Sequence, residues 1–446
     1  MINVGFRGSR SVTGPATWSQ QGIWRTMLKS TACGESMNSY FVLPLPTDIT
    51  YSRIANAVSD TVSAHEALRT TYPLDRGGAL CQSVTRSGDA KIELVEERDL
   101  LFGHKHLLAQ TANLPFDHQY ELPIRFTLLA NGGEPTRLMV VLSPLSADWA
   151  AEEILRREIA ARLLGNVSQH STTRTLSPVD RAFEELTPTM QRKSLLAVSR
   201  WTRLVQDHEP TNFPPSESQK GVRWEMAKLQ SRSMAQSAIE IAKKYQVSVP
   251  AVYHAASAVM MSTLSRKPFS VMHNMCSNRF TTAEQAYVGR LTQASAAAVP
   301  VADLTFGEVV SKAAIAGIRS YAMAQYSTYD VDRIVEAEEF DCFHNSIFKN
   351  GQYVDYEYRA KLGSATGGSE VVVLNPPKFG THRFALEVSH IRGLARMSLQ
   401  NDSSIASGMC TDRILRAMES LILQSADNPS QSPATVVAIN ALDAFA

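Results

Sequence analysis

The chain has 446 residues, 44% hydrophobic and 20% charged, enough for a large core and for two or three compact units. Its 44 basic and 43 acidic residues give a formal net charge of +1, which excludes the broad positive field that holds nucleic acid or an anionic membrane. Five scattered cysteines, Cys33, Cys81, Cys276, Cys342 and Cys410, form no Cys-x-x-Cys pair, and no run approaches the ~18–20 apolar residues of a membrane span, so a cytoplasmic protein with reduced thiols and no zinc site is expected.

After a Gly14-Pro15 breaker, the pattern predicts a helix over Ala16 to Ser30 with Trp18, Ile23, Trp24, Met27 and Leu28 on one side. A strand is expected near Tyr40 to Leu45, then a helix over Tyr51 to Ala67 with Ile54, Val58 and Val62 at helical spacing. Further strands fall at Lys91 to Val95, Ile124 to Leu129 and Arg137 to Leu142, the last apolar enough for the interior of a sheet. Ser143 to Asp148 reads as a short loop before a helix over 150–164. Ala151, Leu155, Ile159 and Leu163 form a buried stripe there, and Asp148, Glu152 and Glu153 suit its N-terminus.

The polar stretches Gly165 to Pro178 and Asp207 to Gly221 read as linkers, and a boundary near 178 divides the chain into lobes 1–178 and 179–446. Beyond it the pattern gives a strand at Val222 to Leu229, helices at Ser231 to Tyr245 and Pro250 to Leu264, and a strand at Phe269 to Cys276. Helices near Thr305 to Tyr321 and Asp330 to Glu338 precede strands at Gln352 to Tyr358, Glu370 to Leu374, Arg383 to Ser389 and Ala395 to Leu399, and Thr411 to Gln424 is the last helix. Similar elements in both halves point to a duplicated α/β unit.

Several ordered segments together resemble the condensation domains of nonribosomal peptide synthetases, in the chloramphenicol-acetyltransferase-like superfamily. Trp18-Ser19-Gln20-Gln21-Gly22-Ile23-Trp24 resembles the opening motif Ala-Gln-x-Arg-x-Trp, with Gly22 where arginine is common. His65-Glu66-Ala67-Leu68-Arg69-Thr70-Thr71-Tyr72 is similar to the second motif, and Pro115-Phe116-Asp117 with Leu122-Pro123-Ile124-Arg125 to the lead into the central strand. Ser143-Pro144-Leu145-Ser146-Ala147-Asp148-Trp149 stands in the place of His-His-x-x-x-Asp-Gly, and Asn278-Arg279 and Val288-Gly289 match the Gly-Arg and Val-Gly of the second half. The resemblance covers nearly the whole chain. It implies an α/β (α+β) fold of two acetyltransferase-like lobes in a V-shaped pseudo-dimer with a tunnel between them.

In that family an amine on one phosphopantetheine arm attacks a thioester on another, with the second histidine of the motif between the two tunnel mouths. Here that position is Pro144, which has neither an ionisable side chain nor an N–H. Ser143 is no base, and becomes a nucleophile only with a base beside it, although it can hydrogen-bond a carbonyl. Losing a general base costs ~10²–10⁴-fold, and an α-amine with a pKa near ~8 is partly deprotonated at neutral pH, so silence does not follow. The resemblance makes Asp148 a structural residue paired with Arg279, linking a loop of the first lobe to a strand of the second. Capping of the helix over 150–164 is the alternative role.

His273 is the candidate for a relocated base, against the alternative of a packed strand histidine. His65 reads as structural, holding a helix end by a hydrogen bond, and Trp149, where the family has glycine, either reshapes the cavity or fills core. His390 reads as a turn residue in solvent, His104 and His106 lack a third ligand at metal spacing, Met260 and Met261 read as core, and Tyr321, Tyr326 and Tyr329 as candidates to line a tunnel.

Three functions follow. The first is a free-standing condensation-type acyltransferase that forms an amide or ester from a carrier-bound thioester in natural-product biosynthesis. The second is a non-catalytic relative that binds a carrier protein or recruits a tailoring enzyme. The third is an altered reaction, such as cyclisation or dehydration of a carrier-bound peptide. In each, no cofactor is resident, the carrier protein with its phosphopantetheine comes in trans, neither nucleic acid nor membrane is a partner, and a monomer is compatible with the sequence.

Overall fold

The computed structural model describes the whole chain except residues 33, 35, 101, 167–175, 214–223, 335–339, 349–367, 376–381, 392, 407–409 and 429–446. The chain forms two compact units, Met1–Lys193 with Ser277–Gln293, and Ser194–Cys276 with Ala294–Ala446. The division thus falls after Lys193 rather than near 178, and 277–293 belongs to the first unit. The reason is the helix Pro178–Glu185, which is anchored to the first unit at both ends. Gln82 donates to the Pro178 carbonyl at 3.2 Å, Arg10 pairs with Asp180 at 2.8 Å, and the Trp18 N–H donates to Glu185 at 2.7 Å.

In the first unit a five-stranded sheet runs Ile2–Arg7, Ser87–Glu96, Ile124–Asn131, Glu134–Leu142, Ser39–Pro44 from edge to edge. Ser87–Glu96 and Ile124–Asn131 are parallel and the other neighbours antiparallel, so the sheet is mixed. The apolar run Leu138 to Leu142 is buried throughout because both faces of its strand are covered. Leu138, Val140 and Leu142 pack with Ile54, Val58 and Val62 of helix Tyr51–Ala64 and Leu155 and Ile159 of helix Trp149–Leu163, whereas Met139 meets Leu108 of helix Gly103–Asn113. That last helix, which the sequence pattern does not single out, carries His104 and His106. Thr50 caps Tyr51–Ala64 by accepting the Arg53 N–H, and the helix stops at His65, earlier than the Ala67 expected, where a 3₁₀ turn Glu66–Arg69 takes over.

The second unit holds a seven-stranded mixed sheet in the order Gln293–Pro300, Phe269–Cys276, Cys342–Phe348, Phe384–Ile391, Leu394–Asp402, Trp224–Ser231, Glu370–Leu374. Its main core joins this sheet to helices Arg232–Tyr245, Val249–Ser265, Phe306–Tyr321 and Thr411–Asp427, with Met260 and Met261 fully enclosed, as their helical spacing requires. The helix expected over Asp330 to Glu338 is described only as the short turn Thr328–Asp332, and the strand expected at Gln352 to Tyr358 lies outside the described residues. Among the described residues no single helix is long and apolar enough to cross a membrane.

Candidate functional site

Strand Glu134–Leu142 delivers the chain into loop 143–148, every residue of which is buried. A buried loop must satisfy its own backbone. The Ser143 N–H donates to the Pro123 carbonyl at 3.0 Å, and the Ser146 and Ala147 N–H groups both donate to the Ser143 carbonyl, at 3.0 and 3.2 Å. The Leu145 carbonyl accepts from Gln20 Nε2 and from the Tyr72 hydroxyl, each at 3.1 Å. Gln20 and Tyr72 belong to the first two sequence motifs, so those motifs act here as the supports of the loop. Pro144 fits a site where an N–H would need a partner and none is required.

Asp148 closes the loop and fills both of the roles the sequence offered. Its Oδ1 accepts the Ala151 N–H at 3.0 Å as a helix cap and Arg279 Nη2 at 2.7 Å. Its Oδ2 accepts the Leu291 N–H at 3.0 Å, the Thr292 N–H at 3.2 Å and the Thr292 hydroxyl at 3.0 Å. Burial would raise this carboxyl, but the Arg279 charge and the Leu291 and Ala151 N–H groups outweigh it and hold the pKa below the usual aspartate value. Arg279 in turn gathers the carbonyls of Glu284 and Tyr287, each at 2.7 Å, and of Gly289 at 3.1 Å. Because 277–293 is part of the first unit, the ion pair is internal to that unit, where the sequence reading had it linking two lobes.

Beside this frame stands an imidazole that the sequence reading missed. His118 Nε2 lies 2.7 Å from Ser143 Oγ, which also accepts the Leu145 N–H at 3.2 Å. Trp24 and Tyr72 present ring edges to His118 at centroid distances of 5.6 and 6.4 Å, and Phe116 lies at 5.9 Å. Desolvation in this aromatic setting pushes the imidazole down to about 4, so it is neutral at pH 7. The only signal in the sequence was its place directly after Pro115-Phe116-Asp117; a separation of 25 residues from Ser143 carries no contact information.

The other candidates have these surroundings. His273 belongs to the second unit, stacked on Phe340 at 5.0 Å, edge-on to Trp201 at 6.1 Å and 3.2 Å from His382, in the packed setting that was the alternative to a relocated base. Desolvation lowers its pKa to about 3. His65 caps the end of its helix, its backbone N–H donating to the Thr61 carbonyl at 3.3 Å, and its Nε2 meets Glu158 at 2.8 Å, tying Tyr51–Ala64 to Trp149–Leu163. Trp149 is 38% exposed and so does not fill core. Tyr326 packs on Trp201, whereas Tyr321 and Tyr329 are exposed and His390 is half-buried. No three His, Cys, Asp or Glu side chains among the described residues are grouped to hold a metal ion.

The model of the condensation domain matches residues 12–441. The chain belongs to the condensation-domain family. A curated relative of this condensation-domain protein, the probable non-canonical nonribosomal peptide synthetase CymA of Salinispora arenicola, is 31% identical over 147 residues, 33% of this chain. That match spans only 2% of the relative's own length. The condensation domain of the monacolin K polyketide synthase MokA shares the fold at a TM-score of 0.75 and 16% identity, covering 95% of this chain and 99% of that one. The X-domain from teicoplanin biosynthesis does so at 0.73 and 16%, covering 96% and 98%. An X-domain in complex with OxyB is also similar, at 0.70 and 15%, covering 96% of each chain. These solved structures share the fold of the condensation domain with this chain.

Proposed function

We propose that this protein transfers an acyl or peptidyl group from a carrier-bound thioester to an amine or hydroxyl acceptor, forming an amide or ester without a histidine at position 144. The observation that carries this reading is the fixed loop: Asp148 accepts five hydrogen bonds, and the whole segment 143–148 is buried and bonded from two further motifs. A rigid frame contributes through positioning, where effective molarities reach ~10⁵–10⁸ M, more than the ~10²–10⁴-fold of one general base. The substrates would arrive on the phosphopantetheine arms of carrier proteins supplied in trans, with no cofactor resident in the chain.

The test is to incubate the protein with carrier proteins encoded beside its gene, one loaded with an acyl thioester and one with an aminoacyl acceptor, and to follow both by intact-mass spectrometry. Transfer of the acyl mass to the acceptor is expected, and no transfer with any loaded carrier would refute the reading. A second reading, a platform that binds a carrier protein or recruits a tailoring enzyme, is favoured by Pro144 and by the shared fold with the X-domain solved with OxyB. It predicts carrier binding with unaltered masses, whereas loss of water from a carrier-bound peptide would mark cyclisation or dehydration instead.

A further inference from the structure

We propose that His118 supplies the imidazole missing from position 144, as a hydrogen-bond donor to the oxygen of the reacting thioester, with Ser143 as the positioning residue that sets its tautomer. The inference rests on the acyl-transfer reading above. Ser143 Oγ already accepts the Leu145 N–H at 3.2 Å, and its own hydrogen has one acceptor within reach, His118 Nε2 at 2.7 Å. If the serine donates there, its hydroxyl and Nε2 are both satisfied, and the proton of the neutral ring must sit on Nδ1. If Nε2 donated instead, the buried hydroxyl hydrogen would be left without a partner.

Nδ1 is the ring nitrogen that remains available. It has no partner among the described residues, yet it is not among the sealed, unsatisfied atoms, and His118 as a whole is 9% exposed. Ser143 is fully enclosed, and its hydroxyl is committed at both ends, so the serine does not reach a substrate as nucleophile. The group left to donate is therefore an N–H held by a buried serine among the rings of Trp24, Phe116 and Tyr72. Low polarity there strengthens a donor toward developing negative charge. It also keeps the ring neutral, which suits a donor better than a base.

In the step itself, the acceptor nitrogen attacks the thioester carbon and the C–N bond forms. The carbonyl oxygen takes up the negative charge opposite Nδ1–H. The C–S bond then breaks, and the departing phosphopantetheine thiolate receives the proton that the nitrogen loses. No proton is transferred to or from His118.

Steady-state transfer between loaded carriers, with folding checked by circular dichroism, separates the roles. Removing a donor of this kind costs ~10²–10³-fold, so His118→Ala should lower kcat by about 100-fold with KM little changed. His118→Gln, which restores an N–H but cannot act as a base near neutral pH, should recover about tenfold of that loss. Ser143→Ala should lower kcat several-fold at unchanged KM, and Ser143→Thr should restore it. In the ¹⁵N spectrum of the wild-type imidazole, the proton should reside on Nδ1. A folded His118→Ala protein within about threefold of wild-type turnover, or a ring protonated on Nε2, would overturn the assignment and leave acyl transfer standing. A wild-type protein that transfers nothing would overturn both.

Discussion

Replacing Asp148 by alanine tests whether loop 143–148 is fixed by its last residue. The substitution removes a helix cap worth about 1 kcal/mol and leaves the Arg279 guanidinium buried without its counter-charge, which costs about 3–5 kcal/mol. The losses overlap at Oδ1, which serves both Ala151 and Arg279, so about 4 kcal/mol is expected. With two compact units a single global unfolding energy is poorly defined, so the measurement should be local: hydrogen exchange at the Ala151, Leu291 and Thr292 amides. These should exchange about 10³-fold faster in the variant. Arg279→Met should show a similar effect, and the double variant should reveal a coupling of about 2–3 kcal/mol. The pKa of Asp148 is depressed in the fold, so its contribution is complete above the unfolded value near ~3.9 and lost as pH falls through the folded value. The variant should lose that part of the acid-unfolding slope. Exchange within tenfold of wild type, or coupling below about 0.5 kcal/mol, would refute the idea that the ion pair fixes the loop.

Two further changes bear on the frame. Glu185 is buried against the Trp18 N–H and shares Arg181 with Glu184 and Glu284; desolvation, only partly offset by the Trp18 N–H and Arg181, pushes its carboxyl up to about 7 from the ordinary 4.5. The folded state therefore holds a proton that the unfolded state releases, and the stability this confers is present below pH 4.5 and lost as pH rises to 7. Hydrogen exchange at the Trp18 amide, corrected for the pH dependence of the intrinsic rate, should show local stability falling by about 3 kcal/mol over that window, and Glu185→Gln should flatten the fall; an unchanged slope in the variant would show that another group titrates. Gly289→Ala places a methyl group 2.5–2.6 Å from the ring of the buried Tyr287, at a φ of 155° that side chains rarely adopt. A cost of about 2–3 kcal/mol is expected, partly relieved by trimming Tyr287 to leucine, and a melting temperature equal to wild type would contradict it.

The sequence by itself determined most elements and the family. The stripe of Ala151, Leu155, Ile159 and Leu163 has the period of a helix, the short apolar run Leu138 to Leu142 has the length of a buried strand, and the ordered motifs carry the rest. It missed the first strand, Ile2–Arg7, which has few apolar residues because only the alternate positions Ile2, Val4 and Phe6 pack against the core. It missed the helix Pro188–Asp207 as well, whose continuity across the change of unit no local signal marks. At the site it identified Asp148 and Arg279 as partners but assigned the segment around Arg279 to the other half, because chain order is not spatial order. His118 was out of reach for the same reason. Its neighbours in sequence indicate only a loop, and its meaning comes from a 2.7 Å contact with Ser143 that depends on how strand Glu134–Leu142 and the segment after Phe116 are packed. Periodicity is a property of neighbours along the chain, whereas a hydrogen bond between distant side chains exists only once the core has fixed both backbones.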